Sequence, residues 1–63
     1  MTWQKTDEGH YVVTYKDYTI TVKPFGADQW IANISGPGYS YNTTTYKERD
    51  AAAKRAFVVI DTR

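Results

Sequence analysis

The chain contains no cysteine, one histidine and one methionine among its 63 residues. Without thiols it can form neither a disulfide nor a thiolate metal site. One imidazole without cysteine partners cannot assemble a zinc site from this chain alone. Its two serines, Ser35 and Ser40, flank a turn with no base beside them, whereas nucleophilic catalysis needs nucleophile, base and orienting acid within hydrogen-bond reach. Glu48, Asp50 and Asp61 are strung along a helical segment and lack the loop geometry of a calcium site. Gly36-Pro37-Gly38 cannot cradle a phosphate, because Pro37 has no amide donor. These absences predict a non-enzymatic protein that needs no cofactor and no metal.

Long apolar runs are also missing. No stretch approaches the ~20 residues that cross a bilayer, and Met1-Thr2-Trp3-Gln4-Lys5 lacks the apolar core of a secretory signal. A cytoplasmic location with no membrane partner is expected. The tripeptides Asn33-Ile34-Ser35 and Asn42-Thr43-Thr44 match the glycosylation acceptor pattern and should then remain unmodified. An excess of either charge is missing too, the net being +1, too little to imply nucleic acid from the total. Its distribution is uneven. Lys47, Arg49, Lys54, Arg55 and Arg63 outnumber the acids in residues 47–63, while residues 1–46 are slightly acidic. The helix is expected to be mildly basic and the remainder near neutral.

Aromatic residues are plentiful: two Trp, six Tyr and two Phe. A chain this short buries only about 60% of its unfolded surface, and large rings are the means by which a small core gains area. They fall in a pattern. Tyr11, Val13 and Tyr15 are spaced two apart, as are Tyr18, Ile20 and Val22, then Trp30, Ala32 and Ile34, then Tyr39 and Tyr41. Side chains two apart share one face of a strand, so each run has one apolar and one polar side.

Strands are expected at 11–15, from Tyr18 to Lys23, where Pro24 ends the ladder, at 30–35, and from Tyr39 to about Thr43. Residues 2–10 read as a polar lead-in with a turn at Asp7-Glu8-Gly9, Trp3 folding back onto the core edge. Pairing Tyr15 with Tyr18 across Lys16-Asp17 sets Val13 opposite Ile20 and Tyr11 opposite Val22 on one face. Thr14 then meets Thr19, and Val12 meets Thr21, on the other. Lys-Asp is not the Asn-Gly that tight hairpins favour, so the turn type stays open.

Thr45-Tyr46-Lys47-Glu48 reads as a capping box that starts a helix, with Asp50 suiting the helix dipole. Arg49, Ala53, Ala56, Phe57 and Ile60 fall on one stripe, Ala52 beside them, and the helix ends near Asp61. Val58 and Val59 cannot both be covered. The fold class is therefore α+β: an antiparallel four-stranded sheet with one C-terminal helix on a single face, in one domain spanning residues 1–63.

Two surfaces follow. The bare sheet face presents Thr14, Thr19, Thr21, Lys23, Ile31, Asn33, Ser40, Asn42 and Thr44. Thr is also the best polar strand former, so a wet sheet face explains much of that set. Tyr39, Tyr41 and Tyr46, with Trp30 and Phe25, exceed what one short helix can cover and should lie at the helix–sheet rim, where aromatics anchor interfaces or stack on bases. Lys47, Lys54 and Arg55 are the basic helix positions that complete the candidate binding residues.

With its Trp30-Ile31-Ala32-Asn33-Ile34 strand and Ala51-Ala52-Ala53-Lys54-Arg55-Ala56 helix, the segment from Tyr18 to Ile60 resembles the three-strand-plus-helix DNA-binding domains. These include plant ethylene-response factors and the arm-binding domains of tyrosine recombinases. That resemblance implies a sheet that enters the major groove. This sheet face carries Lys23 and no arginine, which removes the residues that read guanine.

The opening Thr2-Trp3-Gln4-Lys5-Thr6, the Gly9-His10-Tyr11 turn, the Trp30 strand and the Thr-capped Ala-Lys-Arg helix together resemble the tiny accessory proteins of bacteriophages and mobile elements. Anti-CRISPR and other anti-defence inhibitors are among these. That resemblance implies a phage protein that docks on a host protein or ribonucleoprotein complex in the bacterial cytoplasm and inhibits or redirects it, as monomer or homodimer. A DNA-binding module and a structural subunit that self-associates through an edge strand are the alternatives.

Overall fold

A computed structural model describes residues 2–63. Strands β1 (Gln4–Lys5), β2 (Tyr11–Tyr15), β3 (Tyr18–Phe25), β4 (Gln29–Gly36) and β5 (Tyr39–Asn42) precede one helix, α1 (Arg49–Asp61). The strands form a single five-stranded antiparallel sheet in chain order. The α+β layout follows the alternation, with five strands where four are expected. The additional strand pairs Gln4 with Val12 and Lys5 with Tyr11. Two residues cannot display an alternation, so the lead-in carries no strand signal of its own. A turn closed by Thr6 N–H to His10 O (2.8 Å) and Gly9 N–H to Thr6 O (3.0 Å) folds it back.

The β2–β3 register is the expected one at all five pairs. Lys16 and Asp17 both have positive φ, 50° and 68°, the backbone of a type I′ turn, whose twist matches that of the flanking strands. Strand β3 does not end at Lys23. It continues through Pro24, opposite Trp30, to Phe25, opposite Gln29. Trp30 directs its backbone N–H and C=O to Tyr46, at 2.6 and 2.8 Å. Its pairing with Pro24 is thus non-hydrogen-bonded, and the missing proline donor is one this ladder does not use. Pro37 and Gly38 (φ 69°) form the β4–β5 connection, the residue order of a type II turn.

Helix α1 lies across one sheet face. Ala52, Ala56 and Ile60 are buried against Val13, Ile20, Val22, Ala32 and Ile34. The alanines bring the helix close to the sheet, leaving Ile20, Ile34 and Val22 as the largest fully buried side chains. Trp3 does fold back: it packs on this core and meets Phe57 edge-on at 6.1 Å. Val58 is exposed and Val59 half-buried.

The expected capping box does not form. Glu48 is the N-cap, with φ −120° and ψ 140°, and among the described residues no side-chain hydrogen bond caps the helix. Tyr46 is held in the bridge to Trp30, so the chain is still extended where a Thr45 cap would begin the helix. Asp50 does sit in the first turn. Arg49 is exposed rather than on the buried stripe, its guanidinium lying 4.3 Å from the Tyr11 ring centroid.

Beyond β5 the chain keeps to β4 through a bulge. Thr43 N–H donates to Ala32 O (2.9 Å), and Ala32 N–H donates to Thr43 Oγ1 (3.1 Å). The buried Thr43 hydroxyl thus accepts the bond that a strand carbonyl would take. Two residues, Thr44 and Thr45, lie between Thr43 and Tyr46, while one, Ile31, lies between Trp30 and Ala32, one residue of excess.

Candidate binding surface

The face opposite the helix is bare. Strand alternation and the pairing register order it into rows. Gln4, Val12, Thr21, Asn33 and Asn42 form a line across all five strands. Thr14, Thr19, Ser35 and Ser40 form a second, entirely of hydroxyls. Lys23 and Ile31 form a third, and Phe25 and Gln29 end the face. Asn33 Nδ2 donates to Asn42 Oδ1 at 2.7 Å, fixing two amides in the first row. Lys23 is the one charged group in these rows.

Of the candidate residues, Lys23, Ile31, Asn33 and Asn42 therefore share this face. Tyr39 and Tyr41 do not. They lie on the helix side, stacked with centroids 6.5 Å apart and planes 18° apart. Tyr39 is half-buried and Tyr41 39% exposed, because α1 does not reach over the edge strand. Tyr46 is half-buried beside Trp30 in the bulged segment. Lys47, Lys54 and Arg55 are all exposed. The latter two are carried by α1, on the side of the sheet opposite Lys23. The basic residues are divided between two faces.

Phe25 belongs to the open face and not to the rim, since it follows Lys23 by two residues in β3. At 53% exposed it is the most exposed large apolar side chain among the described residues. Its placement depends on β3 running past the proline, which the sequence pattern does not show. Arg63 also emerges only in three dimensions. Its guanidinium lies 3.6 Å from the Tyr39 ring centroid, and Nε donates to the Tyr18 hydroxyl at 3.1 Å.

One ion pair ties the helix end to the first tight turn. Lys16 Nζ donates to Asp61 Oδ1 at 2.9 Å, and the Tyr15 hydroxyl donates to the same oxygen at 2.8 Å. The Lys16 bond, with that from Tyr15, holds the Asp61 carboxyl below its ordinary pKa, and the Asp61 bond raises that of Lys16. An acid at a helix C-terminus opposes the macrodipole, so this pairing offsets an unfavourable position.

A shallow cavity of about 150 Å³ opens between β2 and the start of α1, lined by Trp3, Tyr11, Val22, Arg49, Asp50 and Ala53. No helix of the described residues is long and apolar enough to cross a membrane. No protein-family model, curated protein or solved structure matches the chain. The resemblances to phage accessory proteins and to sheet-reading DNA-binding domains rest on the sequence pattern alone.

Proposed function

We propose that this chain is a small non-enzymatic binding protein of the phage accessory kind. It docks through its open sheet face onto a protein or ribonucleoprotein complex of a bacterial host and blocks or redirects it. One observation carries this reading: the open face is almost uncharged, and it places Val12, Ile31 and Phe25 among hydroxyls and amides. Charge is depleted from the centres of protein interfaces. Ser, Thr and Asn also have little rotamer entropy to lose when ordered against a partner, unlike Lys, Arg or Glu. A groove-reading face needs the opposite composition, with Arg or Lys reaching guanine. Here Lys23 stands by itself, and Lys54 and Arg55 are on the far side.

The experiment is a pair of surface variants. Asn33→Arg places a long charged side chain in the middle of the open face, whereas Lys54→Glu with Arg55→Glu reverses the charge on the helix. With the fold verified by circular dichroism, the first should abolish stoichiometric binding to the captured complex and the second should leave it intact. The reverse result would assign the contact to the helix and contradict the proposal.

A further inference from the structure

Strand β5 forms one edge of the sheet; its outer side is bounded and its own residues are uncharged, Arg63 lying over Tyr39 on the helix side. Thr43 N–H bonds to Ala32, and alternate residues of an antiparallel strand face the same neighbour. Tyr39, Tyr41 and Thr43 therefore direct their backbone groups inward to β4, while Ser40 and Asn42 direct theirs outward. The Asn42 side chain is tied to Asn33 on the open face, clear of that edge. The Pro37-Gly38 turn limits the free edge at one end and the bulge after Thr43 limits it at the other. Between Asp28 and Lys47 the chain has no charged residue. Natural edge strands are commonly protected by lysine, proline or an inward-pointing charge, and β5 has none of these.

We propose that β5 pairs antiparallel with β5 of a second copy, Ser40 opposite Asn42 of that copy and Tyr41 on the two-fold axis. The edge is self-complementary in this register. Each copy offers the N–H and C=O of Ser40 to those of Asn42, forming four bonds with no group left over. Tyr41 meets its own symmetry mate in a non-hydrogen-bonded pair, where side chains are closest and aromatic pairs favourable. No charge meets its like across the strand pair. A second copy fits this edge better than an arbitrary peptide because both bounded segments have the same length. The contact also closes on itself, because a two-fold pairing of β5 with β5 uses the same edge of both copies. In the dimer the open face extends over both sheets. This inference does not depend on the docking reading. A chain that binds no host complex would dimerise in the same way.

The test is sedimentation velocity on the full chain from roughly 10 µM to 1 mM, the range expected of so small an interface. The parent should shift from monomer to dimer. Ser40→Pro removes the outward donor, and Tyr41→Lys or Tyr41→Glu places like charges on the axis without touching the core. Each should raise the dimer dissociation constant about tenfold or more. Mixing the Lys and Glu variants should restore a heterodimer, because position 41 faces itself. A parent that remains monomeric throughout the range overturns the proposal. So does a dimer indifferent to all three substitutions, or one broken by both charges that the mixture fails to restore.

Discussion

The ring of Tyr18 covers the backbone of Gly36, and a Cβ added to Gly36 would stand 2.6 Å from Tyr18 Cε1. The bare glycine lets Tyr18 meet Tyr39 edge-on at 5.8 Å, and Arg63 then closes over both rings. Gly36 does not have a positive φ, unlike Gly9, Gly26 and Gly38. Its requirement is for space. Gly36→Ala should destabilise the fold by about 1–3 kcal/mol through overpacking. Tyr18→Leu should relieve part of that cost in the double variant, a non-additivity measurable by denaturant titration of the four proteins.

The turn at Lys16-Asp17 holds two non-glycine residues in the left-handed region, each at a cost of roughly 1–2 kcal/mol. Lys16 gains an ion pair with Asp61 in return. Among the described residues the Asp17 side chain makes no hydrogen bond or ion pair. Asp17→Gly should therefore stabilise the protein by about 1 kcal/mol, read as a higher denaturation midpoint with unchanged slope. A β-branched residue there should do the reverse.

The hairpin shows what was legible in the sequence. Its five-pair register follows from matching Tyr11, Val13 and Tyr15 against Tyr18, Ile20 and Val22, because a one-residue slip would expose every core side chain. The single-face helix was legible on the same ground. What escaped was decided by backbone bonding rather than by side-chain pattern. The two-residue β1, the passage of β3 through Pro24 and the delayed start of α1 all depend on which neighbour a backbone group faces. Part of the open face was readable as well. Lys23, Ile31, Asn33 and Asn42 share a face by parity, whereas Phe25 joined them only because β3 runs past its proline.

Thr43 is 4% exposed and its hydroxyl accepts the Ala32 amide. Thr43→Val keeps the shape and leaves that amide unpaired, which should cost about 1–3 kcal/mol. Thr43→Ser retains the acceptor and should cost less. Thermal melts of the two variants, with amide exchange at Ala32 as the local readout, separate the hydroxyl from the methyl.

The Lys16–Asp61 pair gives a pH dependence of defined sign. Asp61 has a lowered pKa in the folded state, so its contribution is present above the ordinary carboxylate pKa. It is lost as pH falls below about 4 and through the lowered value. Lys16 has a raised pKa; its contribution is complete below the ordinary lysine value and is lost as pH rises through the elevated one. Asp61→Asn should flatten the acid limb of a melting-temperature profile relative to the parent. Because both groups are exposed, added salt should narrow the difference.

On the proposed reading the open face binds protein and not duplex DNA, and a salt titration separates the two. The tagged chain is captured with its complex from DNase-treated bacterial lysate, and the affinity is measured at increasing salt. The expected result is a stoichiometric complex that survives DNase and loses little affinity at moderate salt. Duplex DNA should bind no better than the roughly 10⁻⁴–10⁻⁶ M of sequence-indifferent contact. DNase-sensitive capture, together with sequence-specific duplex binding in the nanomolar range at physiological salt, would contradict this reading.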